Sequence, residues 1–218
     1  MMIDLTKYNI IDISMKLGND ILSWPGDRHI FRHNYAMKIE NGGHANVSRI
    51  ETSMHTGTHL DAPFHKINSG KKLNEISVEN FMGNAQVIDL TSVNNIIYLD
   101  DFINKLKDNT EIVLIKTNNS ALLQEREFKK NYTCLDTKAA EYLSDQSLKA
   151  VCVDYLSIDK FDAKEPINHN IFLKKDIIIY EAVDLSNVHE GEYFFIGLPI
   201  KLDNADGALV RAILLQEK

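Results

Sequence analysis

Residues 55–65, His-Thr-Gly-Thr-His-Leu-Asp-Ala-Pro-Phe-His, hold three of the chain's eight histidines and an aspartate within eleven positions. Four side chains able to ligate a metal, set this close together, restrict the path of the backbone. A straight strand rises about 3.3 Å per residue and sets the Cα atoms of His55 and His59 about 13 Å apart, too far for one ion. An α-helix brings positions four apart onto one face, but it turns Asp61 and His65 to other sides, and Pro63 beyond the first turn would remove a backbone donor. The path that remains is a bend at Gly57, where the missing Cβ relieves the backbone, followed by a short helical or irregular stretch containing Pro63. On that path His55, His59, Asp61 and His65 can converge. Imidazole nitrogen and carboxylate oxygen are the usual ligands of catalytic zinc, iron or manganese, and two histidines with one carboxylate leave positions open for water and substrate. Taken singly, each residue reads as well as a loop histidine or a capping aspartate; the four together read as a metal site.

The rest of the chain supplies a scaffold of ordinary globular type. With 218 residues, 44% apolar and 25% charged, and no linker-like break, it is expected to form one domain over 1–218. Short β-branched runs predict strands at 10–13, 86–90, 111–117, 150–155, 177–181, 193–198 and 209–215. Helical spacing predicts helices over 98–107, with Phe102, Ile103 and Leu106 on one face, and over 136–148 behind an N-cap at Asp136 or Thr137. Strand, helix and strand between 111 and 155 imply a parallel pairing, and the strand-rich ends imply antiparallel or barrel-like pairing. The expected class is α/β, with a mixed, partly barrel-like sheet flanked by helices.

Charge and motif content narrow the function. A net charge of −7 without a Lys/Arg cluster argues against a nucleic-acid partner. The first residues carry acids inside their apolar stretch and no run approaches a membrane span, so a cytoplasmic location is expected. Cys134 and Cys152, far apart and outside any CxxC pattern, are expected to be buried thiols. No GxSxG elbow occurs, which argues against a serine hydrolase. A structural zinc site would close all four positions, usually with cysteine, and neither cysteine lies near the motif. A metal-dependent binding protein without turnover is the rival from another class.

The eleven-residue segment is similar to the HxGTHxDxPxH signature of the cyclase family of metal-dependent hydrolases. The likeness extends through Ser23-Trp24-Pro25-Gly26-Asp27, Val153 to Ser157, His169 with Glu181, and Leu198-Pro199 through Asp206-Gly207 to Arg211. The resemblance implies a swivelling β/β/α fold and a homodimer or larger assembly. It implies that His55, His59 and Asp61 bind one metal, that Asp61 bridges to a second, and that His169 and the bridging Glu181 complete that second site. It also implies His65 as the catalytic acid/base and Trp24 against an aromatic substrate, although the residue itself reads equally well as a core tryptophan. Zinc, as one or two ions, or manganese would serve. The run Ala45 to Arg49 is similar to that of the family's formamidases and points to hydrolysis of N-formylkynurenine, with isatin, a lactone or another cyclic amide or ester as alternatives. Independently of the likeness, Glu181 ends an apolar run, and a carboxylate buried there needs a partner such as a cation.

Overall fold

The computed structural model describes residues 4–27, 31–125 and 127–218. In chain order the strands are β1 (Tyr8–Asp12), β2 (Arg32–Met37), β3 (Val47–Glu51), β4 (His59–Asp61), β5 (Met82–Asp89), β6 (Ile96–Ile97), β7 (Ile112–Lys116), β8 (Cys134–Leu135), β9 (Ala150–Val153), β10 (Ile178–Glu181), β11 (Gly191–Pro199) and β12 (Gly207–Glu217). The helices are α1 (Asn119–Leu122), α2 (Thr137–Ser144) and α3 (Ile167–Leu173).

Seven of these strands close on themselves in the order β12-β11-β5-β7-β9-β10-β4, because β4 pairs with β10 on one side and with β12 on the other. β5, β7, β9 and β10 are parallel, whereas β11, β12 and β4 join antiparallel. β1 pairs with the far half of β12, from Tyr8 opposite Glu217 to Asp12 opposite Ile213. The β7 and β9 pairing, with α2 between them in sequence, is the expected parallel unit. All seven expected strands are present, with ends shifted by a few residues.

Their continuous apolar runs follow from burial on both faces. Ile112, Leu114, Ala150, Cys152, Ile178 and Tyr180 belong to one core, inside the closed sheet, together with Leu60, Phe195 and Leu214. Val113, Ile115, Val151, Val153 and Ile179 alternate with them and pack outward with Leu143 of α2 and Phe172 of α3. The same alternation governs β4: with Leu60 in the inner core, His59 and Asp61 point to the outer side, the side of Ile179 and Glu181. Both cysteines are buried free thiols.

The stretch 98–107 is not the expected helix but a 3-10 turn at Leu99–Asp101 followed by irregular turns. Gln86, buried on β5, explains the difference. Its amide donates to Lys105 O at 2.7 Å and its carbonyl accepts the Lys107 N–H at 2.9 Å, so backbone groups that a helix would use internally are tied to the sheet. Helix α2 begins where expected, with the Asp136 carboxylate accepting the Lys138 N–H at 3.0 Å, but ends at Ser144. Among the described residues no helix is long and apolar enough to cross a membrane.

Candidate metal centre

The bend inferred from Gly57 is present: its φ is +59°, and an added Cβ would lie 2.5 Å from Leu17 Cδ2. After the bend, Thr58 donates its hydroxyl proton to Ala182 O at 2.6 Å and accepts the Met15 N–H at 2.8 Å, which anchors the chain entering β4. Pro63 then opens a 3-10 turn, Pro63–His65, from its first position. His59 and Asp61 are therefore strand residues, while His55 and His65 reach the site from the flanking bend and turn. Glu181 stands opposite His59 at the end of β10, and α3 brings in His169.

The five residues proposed from the sequence as ligands meet around Asp61, which is fully buried. Asp61 Oδ1 lies 2.8 Å from His55 Nδ1 and 3.6 Å from His59 Nε2, and Asp61 Oδ2 lies 3.3 Å from His169 Nε2 and 3.8 Å from His65 Nε2. Glu181 places Oε1 3.2 Å from His169 Nε2 and Oε2 3.5 Å from His59 Nε2. Three groups of ligand atoms lie close enough to share an ion, His55-His59-Asp61, Asp61-His65-His169 and His55-His65-Asp206, and Asp61 is common to the first two.

A cation fits this donor set on a specific ground. His59 Nδ1 is 2.8 Å from Gly57 O, an acceptor only, so Nδ1 carries the proton and Nε2 presents its lone pair. That lone pair faces the Asp61 and Glu181 carboxylates and, among the described residues, has no hydrogen-bond partner; Asp61 Oδ2 is likewise buried without one among them. A lone pair and two carboxylates turned toward each other out of water repel one another, and a divalent ion resolves that conflict. Without the ion, protons take its part. Burial works against the His55 imidazolium, but Asp206 and Asp61 outweigh it and lift His55 to about 10. Burial likewise opposes charge on His169, yet Asp159, Asp61 and Glu181 hold it well above the usual histidine range. Asp61 stays well below the usual carboxylate range in spite of its burial, because His65, His169 and His55 surround it.

Two acids escaped the sequence reading. Asp206 Oδ2 lies 2.8 Å from His55 Nε2 and 3.3 Å from His65 Nδ1, joining the two rings, whose centroids are 4.0 Å apart. These two histidines hold its carboxyl far below the ordinary range. Asp159 accepts from His169 Nδ1 at 2.5 Å and from the Asn168 N–H at 2.8 Å, which fixes the His169 ring with Nε2 toward the centre. Asp206 lay within a segment of the family likeness; Asp159 carried no signal of its own.

The centre opens on a cleft of about 410 Å³ whose lining includes His55, His59, His65, His169 and Glu181. Trp24 and Phe161 share that lining, their ring centroids 5.4 Å apart, and Trp24 meets Phe128 edge-on at 5.0 Å. Trp24 thus serves the packing of an aromatic cluster and also presents surface to the cleft.

Comparison with known proteins agrees with this geometry. The profile of the Cyclase family, described as "Putative cyclase", matches residues 11–160. A kynurenine formamidase of Bacillus mycoides (strain KBAB4) is 37% identical over 204 residues, covering 94% of this chain and 96% of that protein. A solved structure described as a potential metal-dependent hydrolase with cyclase activity is 28% identical, covers 97% of this chain and 99% of its own, and superposes with a TM-score of 0.83. An isatin hydrolase bound to the product analogue thioisatinate shares the fold, with a TM-score of 0.84 over 98% of this chain and 94% of its own, at 17% identity. With the signature segment, the closed mixed sheet and the histidine-carboxylate centre all in place, the chain belongs to the Cyclase family, whose solved relatives include metal-dependent hydrolases.

Proposed function

We propose that this protein hydrolyses the formamide of N-formylkynurenine to kynurenine and formate, using a divalent metal held by His55, His59, Asp61, His169 and Glu181. The observation that carries the reading is the unpartnered His59 Nε2 facing two buried carboxylates at an aromatic-walled cleft. The curated formamidase relatives support the choice of substrate.

The bound ion would polarise the formyl carbonyl and lower the pKa of a water molecule from about 15.7 toward 7. His65, part-exposed at the cleft, takes the proton that the attacking water gives up and returns it to the aniline nitrogen as the C–N bond breaks. Asp206 accepts from His65 Nδ1, which orients the ring and leaves Nε2 as the basic nitrogen. Trp24 supports the aromatic ring of the substrate. Sharing of Asp61 between two ligand groups supports a two-ion centre, and the all-nitrogen-and-oxygen donor set suits zinc, with manganese as the other choice.

The enzyme in this reading is a cytoplasmic homo-oligomer in which residues 1–218 act as one domain. The ribbon of β2 and β3 supports the assembly: it is exposed along its whole length yet carries Tyr35, Met37, Val47 and Ile50, and a two-stranded ribbon is marginal in water alone.

The test is turnover of N-formylkynurenine by purified protein before and after chelation, with zinc or manganese restored and metal content measured. Chelator-sensitive turnover that returns with metal supports the assignment. Bound metal without turnover of this substrate moves the search to isatin, lactones and other cyclic amides or esters; wild-type protein that retains metal and turns over none of these is a binding protein.

A further inference from the structure

Charge in the cleft is unevenly assigned. Among the described residues, besides the proposed metal ligands and His65, its lining carries the acids Asp27, Asp159 and Glu165 and the lysines Lys66 and Lys160. An anionic substrate group that lies away from the proposed metal ion, beside these acids, is favoured only where a cationic side chain meets it. Lys160 lies 3.1 Å from Asp162 Oδ1. Lys66 is exposed, and among the described residues no carboxylate lies within ion-pair distance of its ammonium. It directly follows His65, so its Cα is about 3.8 Å from that of the proposed acid/base, and both residues line the cleft.

We propose that Lys66 is a specificity-determining residue, pairing with a carboxylate carried by the substrate beside its N-acyl aniline and so selecting aryl amides with an amino-acid side chain over neutral aryl amides. The assignment rests on the formamidase reading. A point-charge ammonium on a flexible stem suits a carboxylate at the mouth of the cleft, where the geometry need not be rigid. The pairing acts on binding of the intact substrate, so its loss appears in KM more than in kcat.

The experiment compares wild type, Lys66→Met and Lys66→Arg on two substrates, N-formylkynurenine and formanilide, which lacks the carboxylate, with metal content measured for each protein. The ratio of kcat/KM for N-formylkynurenine to that for formanilide should fall about tenfold in Lys66→Met, the scale of one hydrogen bond to a charged group, and recover in Lys66→Arg. A ratio unchanged in Lys66→Met overturns the assignment while leaving the formamidase intact. Wild-type turnover of formanilide without N-formylkynurenine removes the carboxylate site. Turnover of neither by metal-replete wild type removes the formamidase reading and the role of Lys66 with it.

Discussion

Glu181 stands directly opposite His59 across the β4–β10 ladder, with its Oε2 3.5 Å from the His59 Nε2 that has no hydrogen-bond partner among the described residues. Replacing Glu181 by Gln keeps the shape but removes the charge and offers an N–H to the same nitrogen. Glu181→Gln should retain metal at least about tenfold more weakly than wild type. Elemental analysis after dialysis against a graded chelator reads this directly, and unchanged stoichiometry would take Glu181 out of the centre.

His65 touches the centre from its exposed side, 3.8 Å from Asp61 Oδ2 and 3.3 Å from Asp206 Oδ2. As acid/base it is dispensable for holding metal, so His65→Ala should keep metal content near wild type while kcat falls about a hundredfold or more. Metal lost together with activity would make His65 a ligand, completing the group it forms with Asp61 and His169.

Within the proposed ligand set, His55, His59 and Asp61 stood out in the sequence because they sit close together with His65, and Glu181 because it ends a recognisable apolar run, whereas His169 came from the family likeness alone. The sequence made β5, β7, β9 and β10 legible because both of their faces are apolar. β4 itself was hidden: of its three residues only Leu60 is apolar, and the other two are spent on the site. β2 and β3 were hidden for the opposite reason, since an exposed ribbon needs no alternation. The false helix at 98–107 shows a local pattern overruled by a distant residue, Gln86. Asp206 meets His55 across 151 positions, and nothing local to either residue announces the contact.

Gly207 is a position where seam and centre share one constraint. A Cβ there would lie 2.5 Å from Leu60 O and 3.0 Å from His55 Cε1, and neither backbone nor ring can yield without moving a ligand. Gly207→Ala should cost about 1–3 kcal/mol of stability, as overpacking does, and should weaken metal binding at the same time. Thermal unfolding with and without added metal separates the two effects; full metal affinity in a destabilised variant would show that His55 tolerates the shift.

His55 links binding to pH. In the metal-free fold its pKa rises from 6.5 to about 10, so the stability it contributes is present below pH 6.5 and is lost as pH climbs through about 10. A cation at His55 must displace that proton. Metal affinity should therefore increase with pH between 6.5 and 10, with protons released on binding. Calorimetric titration in buffers of different ionisation enthalpy measures the release, and heats independent of buffer would contradict it.

β4 is three residues long, yet its ladders to β10 and β12 complete the ring, extended at its ends by Thr58 O, which accepts the Val210 N–H at 3.0 Å, and by the Ala62 N–H, which donates to Asp206 O at 2.9 Å. Because His59 and Asp61 belong to that strand, the ion that the centre selects would also act as the clasp of the sheet. Chain made under metal starvation would leave the facing edges of β10 and β12 prone to unzip, and open strand edges are what aggregation and cellular proteases recognise. The lifetime of the protein in the cell would then follow metal supply, so that starvation removes the polypeptide and does not simply silence it; equal half-lives in metal-replete and metal-starved cells would break that link.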